Sequence, residues 1–272
     1  MAHVQLGLAD GRMAEFPAAP PGRMEDTCFI LGIRKCGSSL LNSLCADLAG
    51  MNGRHFLDIA GRFFQSDVPE RSWRNDPASL ALLVAGQVHG GFRAMPLIFA
   101  SDPIFLEARK ILMVRDPRDA LVSEYFSNAY SHALPEIRGA GATQDLLTLR
   151  RDAVSAALEA TVLHRAAALN QTYMEYAGIL ADPCLKLFRY EDVILAKRQW
   201  VHDIAAHFGW APPDAGTLTA MMGWADVIPA EEKPGRFIRK VVSGDHRAKL
   251  SPAIITRLNV ALAPAMGLFG YA

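Results

Sequence analysis

LGIRKCGSSLL, residues 31–41, follows a short apolar run from Cys28 to Leu31 and opens a segment with apolar residues at 40, 41, 44, 45 and 48. A buried run that ends in glycine and then changes to a helical spacing predicts a strand, a loop and a helix. The loop has the two glycines of a phosphate-binding loop, Gly32 and Gly37, at the G-x-x-x-x-G spacing. In the triphosphate version a lysine follows the second glycine. Here Ser38 stands in that place, Ser39 takes the hydroxyl position, and the lysine is Lys35, two residues before Gly37. The loop is either a damaged triphosphate site or a complete site for another phosphorylated ligand.

A second strand-to-helix unit lies further along. RKILMVRDPRDALVSEYF contains an apolar strand from Ile111 to Val114, an N-cap at Asp116 and a proline, Pro117, at the first helical position. Residues 184–189 (CLKLFR) read as a third strand and residues 82–91 (LLVAGQVHGG) as a fourth. Buried strands alternating with helices predict an α/β fold, a mostly parallel central sheet flanked by helices. Segment 143–180, apolar at 154, 158, 162, 166 and 169, predicts one or two long helices. Residues 1–26, rich in Gly, Pro and Ala, read as an N-terminal tail, and 27–272 as a single domain.

Composition narrows the function. Among 272 residues, 28 basic side chains balance 28 acidic ones, so no global field attracts nucleic acid or an anionic membrane, and any anion site must be local. The four cysteines have neither disulfide-framework nor zinc spacing, and no run of about 18 apolar residues is present. These features lead us to expect a cytoplasmic protein with no metal and no membrane span.

Three groups of residues carry chemistry. The loop's backbone N–H groups and the helix N-terminus converge on one spot that favours an anion, with Ser38, Ser39 and Lys35 beside it. Arg115 sits at the end of its strand, where open α/β sheets place their ligand crevice, and Ser123 lies about two helical turns beyond the cap. Arg236, Arg239, Lys240 and Arg247 cluster in a Gly- and Ser-containing stretch that reads as a loop. Each group also has a plainer reading: a tight turn with a solvated lysine, an Arg115–Asp116 cap pair, a solvated charged face.

Taken together, and in this order, the motifs resemble the sulfotransferases that use 3′-phosphoadenosine-5′-phosphosulfate (PAPS). The family's 5′-phosphosulfate loop is matched by Lys35, Gly37, Ser38 and Ser39; its 3′-phosphate motif, an arginine and a serine eight residues later, by Arg115 and Ser123. A late R-K-G-x-x-G-D-W element is partly matched by RKVVSGDH, where Val241 replaces the glycine and His246 the tryptophan. Tyr190, Glu191 and Asp192 match a Y-E-D element, and Leu40 stands where many members carry an adenine-stacking tryptophan.

The resemblance implies a P-loop-like three-layer sandwich, PAPS as donor, PAP (adenosine 3′,5′-bisphosphate) as product, and in-line transfer to an acceptor hydroxyl or amine. It gives Lys35 the task of neutralising the leaving oxygen. Arg34, Lys35, Cys36, Gly37, Ser38, Ser39, Arg115, Ser123, Tyr190, Arg239 and Lys240 are then expected to bind the donor. Among the eight histidines, His89 is the expected general base from its place between the two PAPS motifs, with His55, Asp58, Asp67 and Glu70 as alternatives. Cys36, beside a lysine at a helix start, is expected to have a lowered thiol pKa. The acceptor, a small molecule, sugar or lipid, would be contacted from segments 54–80 and 130–165, which include Phe63, Phe64, Trp73 and Tyr130. The rival readings are a P-loop kinase-like phosphotransferase and a non-catalytic PAP-binding module.

Overall fold

The structure, a computed structural model, describes residues 3–271. Its centre is a five-stranded, fully parallel sheet in the order β4-β5-β3-β6-β7, built from β3 (Cys28–Gly32), β4 (Phe56–Asp58), β5 (Val88–Gly90), β6 (Arg109–Val114) and β7 (Leu185–Arg189). Every residue of β3 is buried, because both faces of a parallel sheet are covered; this is why CFILG reads as continuous rather than alternating apolar sequence.

Helices flank this sheet in two packed groups. Ser38–Met51 packs with Lys197–Phe208 and Ala215–Ala225; Pro117–Phe126 packs with Leu158–Met174, which also meets Pro252–Ala261 and Ala263–Phe269. The expected long helical segment is thus two helices, Ala142–Ser155 and Leu158–Met174. Asp116 caps its helix as the sequence indicates, accepting from the Arg118 N–H at 2.9 Å, with Pro117 in the first turn.

The strand order fixes where a ligand can enter. From β3 the chain runs out to the edge at β4, returns to β5 beside β3, then crosses to β6 on the other side. Where successive connections leave a strand in opposite directions, a crevice opens beyond its C-terminal end. That point is the end of β3, and the 31–41 loop lies on it.

Two expectations need correction. The fourth strand is only Val88–Gly90, and residues Pro77–Leu82 ahead of it form a 3-10 turn. Residues 3–17, expected to be tail, form an antiparallel hairpin of β1 (His3–Gly7) and β2 (Met13–Pro17); residues 1 and 2 lie outside the described chain. The hairpin adheres because alternation turns Leu6, Ala14 and Phe16 inward, and Phe16 meets Phe63 edge-on at 5.0 Å. Burying a phenylalanine in this way contributes about 2–3 kcal/mol. The Gly11 N–H donates to the Leu8 carbonyl at 2.9 Å and closes a turn on Ala9 and Asp10, after which Gly11 takes φ 82°, a conformation that glycine adopts without strain.

Candidate active site

Basic side chains stand at the ends of three neighbouring strands: Lys35 after β3, Arg93 after β5, Arg115 after β6. The loop from β3 is held from below. Tyr176 donates its hydroxyl to the Gly32 carbonyl at 2.8 Å, and Tyr173 donates to the Arg115 carbonyl at 2.7 Å. Gly37, at φ 86°, lies so close to Met113 and Tyr190 that an added Cβ would meet both at 3.1 Å. Tyr190 is therefore a buried floor beneath the loop, and Arg115 stacks on its ring at 4.2 Å.

Lys35 is half-buried and forms no ion pair among the described residues. Burial, and then the charge of Arg93, push its pKa down to about 8; Arg115 and Arg34 act the same way, and Glu124 opposes them. The Phe237 ring lies 5.8 Å from its ammonium. Arg34 is exposed and pairs with Glu70 at 3.2 Å. Arg93, which sequence reasoning missed, reaches both loop hydroxyls, donating to Ser38 Oγ and Ser39 Oγ at 3.1 Å each, and among the described residues it has no carboxylate in contact. The signal that could have found it is a cation just beyond a strand on the crevice side of the sheet, in VHGGFR.

Arg115 is buried and donates to the carbonyls of Lys35 at 3.3 Å and Val242 at 3.0 Å, joining the first loop to the late one; its Nε has no partner. Ser123 is half-buried on the helix that follows. Beside them Asp119 anchors the late loop, accepting from the N–H groups of Gly244 at 2.6 Å and His246 at 2.9 Å and contacting His246 Nδ1 at 2.7 Å. Burial works to raise the Asp119 pKa, but the His246 bonds and Arg115 hold it below its usual range.

Several expected roles do not survive this geometry. His89 is fully buried in β5: its ring stacks on Phe29 at 4.7 Å and its Nε2 accepts from the Val84 N–H at 3.2 Å. Strand alternation turns it into the packing against the sheet instead of toward the crevice, and burial pushes its pKa down to about 4. Cys36 is likewise buried, 3.3 Å from the Tyr173 hydroxyl, and burial pushes its thiol up to about 12, the reverse of the expected lowering.

Arg239 and Lys240 are held by acids. Arg239 pairs with Glu232 and, at 2.5 Å, with Asp245; Lys240 pairs with Asp245 at 2.9 Å. Of the alternative bases, Asp58 caps the helix Ile59–Gln65 by accepting from the Gly61 N–H at 2.9 Å, Asp67 accepts from the N–H groups of Gly141 and Thr143, Glu70 is paired with two arginines, and His55 Nδ1 is buried without a partner. Phe63 and Trp73 stack on each other inside the core at 5.1 Å, so of the four rings singled out in the expected acceptor segments Phe64 and Tyr130 are the accessible ones.

No family model matches the chain, and comparison with curated proteins finds no match. Solved structures do match. Mouse sulfotransferase SULT7A1 complexed with PAP superposes with a TM-score of 0.56 at 15% identity, over 90% of this chain and 86% of that one. Retinol dehydratase in complex with androsterone and the inactive cofactor PAP gives 0.54 at 14%, over 97% and 89%; its complex with retinol and PAP gives 0.53 at 13%, over 95% and 88%. The fold is sulfotransferase-like. Among the described residues no single helix is long and apolar enough to cross a membrane.

Proposed function

We propose that the chain is a PAPS-dependent sulfotransferase. The observation that carries this reading is the set of Lys35 and Arg93, two cations without carboxylate partners among the described residues, beside Ser38, Ser39 and the N-terminus of the helix Ser38–Met51. Such a site is built for an anion and is incomplete without one. Arg115, with its unpartnered buried Nε, and the half-buried Ser123 are the residues that the 3′-phosphate motif would assign to a second anionic group. Arg239 and Lys240 do not extend it, because Glu232 and Asp245 already neutralise them.

When bound, PAPS would supply the sulfuryl group and the leaving phosphate oxygen. Lys35 would stabilise charge on that oxygen, Arg93 would orient the two serine hydroxyls, and Tyr173, Tyr176 and Tyr190 would keep the loop rigid, so that positioning and electrostatics do most of the work. An acceptor with an apolar body and a hydroxyl is favoured by the exposed Tyr130 and Phe237 and the accessible Phe64. Androsterone and retinol in the retinol dehydratase complexes are of that kind.

The kinase reading is weakened by Asp116, the acid that reading would use to hold Mg²⁺, which is occupied in capping its helix and pairing with Arg118 at 2.6 Å. A non-catalytic module remains the second reading, favoured by the burial of His89 away from the crevice. Incubation with PAPS and a panel of hydrophobic alcohols, phenols and amines separates them. The enzyme releases PAP in step with sulfated acceptor, whereas a module binds PAP and yields no sulfated product with any acceptor.

A further inference from the structure

Burial of His89 removes the expected base from the proposed transfer, and another histidine, His132, lies near enough to the loop lysine for the charge of Lys35 to act on it. The helix Pro117–Phe126 ends in a widened π-turn, Ser127–Ser131, which closes with the His132 N–H donating to the Ser127 carbonyl at 2.8 Å. Such turns displace a side chain from the regular helical path and are frequent at functional sites. Arg150 fixes the same residue by donating to its carbonyl. The imidazole lies edge-on to Phe64 at 5.7 Å, a ring of the segment expected to contact the acceptor.

Its tautomer follows from one contact. His132 Nδ1 is 3.0 Å from the Ala133 carbonyl oxygen, and because a carbonyl only accepts, Nδ1 carries the proton. The lone pair is then on Nε2, for which no protein partner is present among the described residues. The charges that act most on the ring are Lys35 and Arg34 from the loop after β3 and Arg93 from the end of β5. All three are cations. Burial favours the neutral ring, the Ala133 hydrogen bond opposes it, and the cations tip the balance so that the pKa lies below its ordinary value and the ring is held neutral, the state a base needs.

Resting on the sulfotransferase reading, we infer that His132 is the general base, with Nε2 taking the proton of the acceptor hydroxyl as the acceptor oxygen bonds to sulfur. The bond broken is the one from sulfur to the phosphate oxygen, whose electron pair remains on that oxygen beside Lys35. The imidazolium then returns its proton to water.

The test is a histidine imidazole NMR titration of the full chain, free and with PAP, with the His132 signal assigned from His132→Gln. Expected are an Nδ1–H tautomer, a midpoint below 6.5 in the free protein, and an upward move with PAP, as an anion arrives beside the ring. His132→Gln should keep the PAP-induced rise in melting temperature. With PAPS and 2-naphthol its rate should drop by ~10²–10³ and lose its acidic limb. A His132 signal that ignores bound PAP, or a variant with wild-type turnover, overturns the assignment and leaves the sulfotransferase reading standing. Failure of PAP to stabilise even the wild type takes down both.

Discussion

Lys35 sits at φ 65°, in the left-handed region that favours glycine, and it is one of two such non-glycine residues among those described. Holding a lysine there costs roughly 1 kcal/mol. Stability alone would place glycine at this position, so the side chain must serve something other than the fold. Lys35→Gly should keep the melting temperature or raise it by up to about 3 °C, while lowering sulfuryl transfer by ~10²–10³. Scanning calorimetry and a PAPS turnover assay check both halves; a clear loss of melting temperature would make Lys35 a structural residue. The residue types of the loop were legible from spacing alone. Arg93 was not, because its tie to Ser38 and Ser39 depends on β5 lying beside β3, a pairing set by topology and not by local sequence. Arg239 and Lys240 were misread for a related reason: Asp245 stands in their own RKVVSGDH element and Glu232 just ahead of it, but that these acids pair with the two cations depends on how the loop folds back on itself.

At the scale of elements, the reading succeeded where strands are buried on both faces and failed where they are short. β3 and β6 appear in the sequence as apolar runs, and the edge strand β7 as an apolar pattern broken by Lys186, whereas β4 is three residues long and β5 is three residues inside a longer apolar stretch. The β1–β2 hairpin was legible in principle from Asp10-Gly11 between two alternating segments, a signal outweighed by the Gly, Pro and Ala content around it. His89 belongs to this scale, since its environment is decided by which side of β5 it occupies. Its pKa, pushed down to about 4 by burial, lies below the ordinary 6.5, so between these values the unfolded chain binds a proton that the folded chain refuses. Stability is intact above pH 6.5 and falls as pH drops toward 4, by up to about 3 kcal/mol from this residue. Urea denaturation at pH 7.5 and 5 should show that loss in the wild type and a smaller one in His89→Gln. Equal losses would place His89 in a wetter setting than the sheet provides.

Across the whole molecule, 28 positive and 28 negative side chains cancel, yet their distribution is uneven. Glu232 and Asp245 neutralise Arg239 and Lys240 of the late loop, and Asp119 ties that loop to the helix after β6. Lys35 and Arg93, at the strand ends around the phosphate-binding loop, are left without such partners among the described residues. A neutral protein with one concentrated anion site should discriminate by ligand shape more than by charge. Lys35, with a pKa of about 8, is still largely charged at pH 7. The most direct measurement is therefore isothermal calorimetry at pH 7 with PAP in the presence of a chelator, set against ATP with Mg²⁺. The account predicts metal-independent binding of PAP, weakened at least tenfold in Arg93→Ala, and little or no heat from ATP with Mg²⁺. Tight binding of ATP with Mg²⁺, and none of PAP, would contradict it.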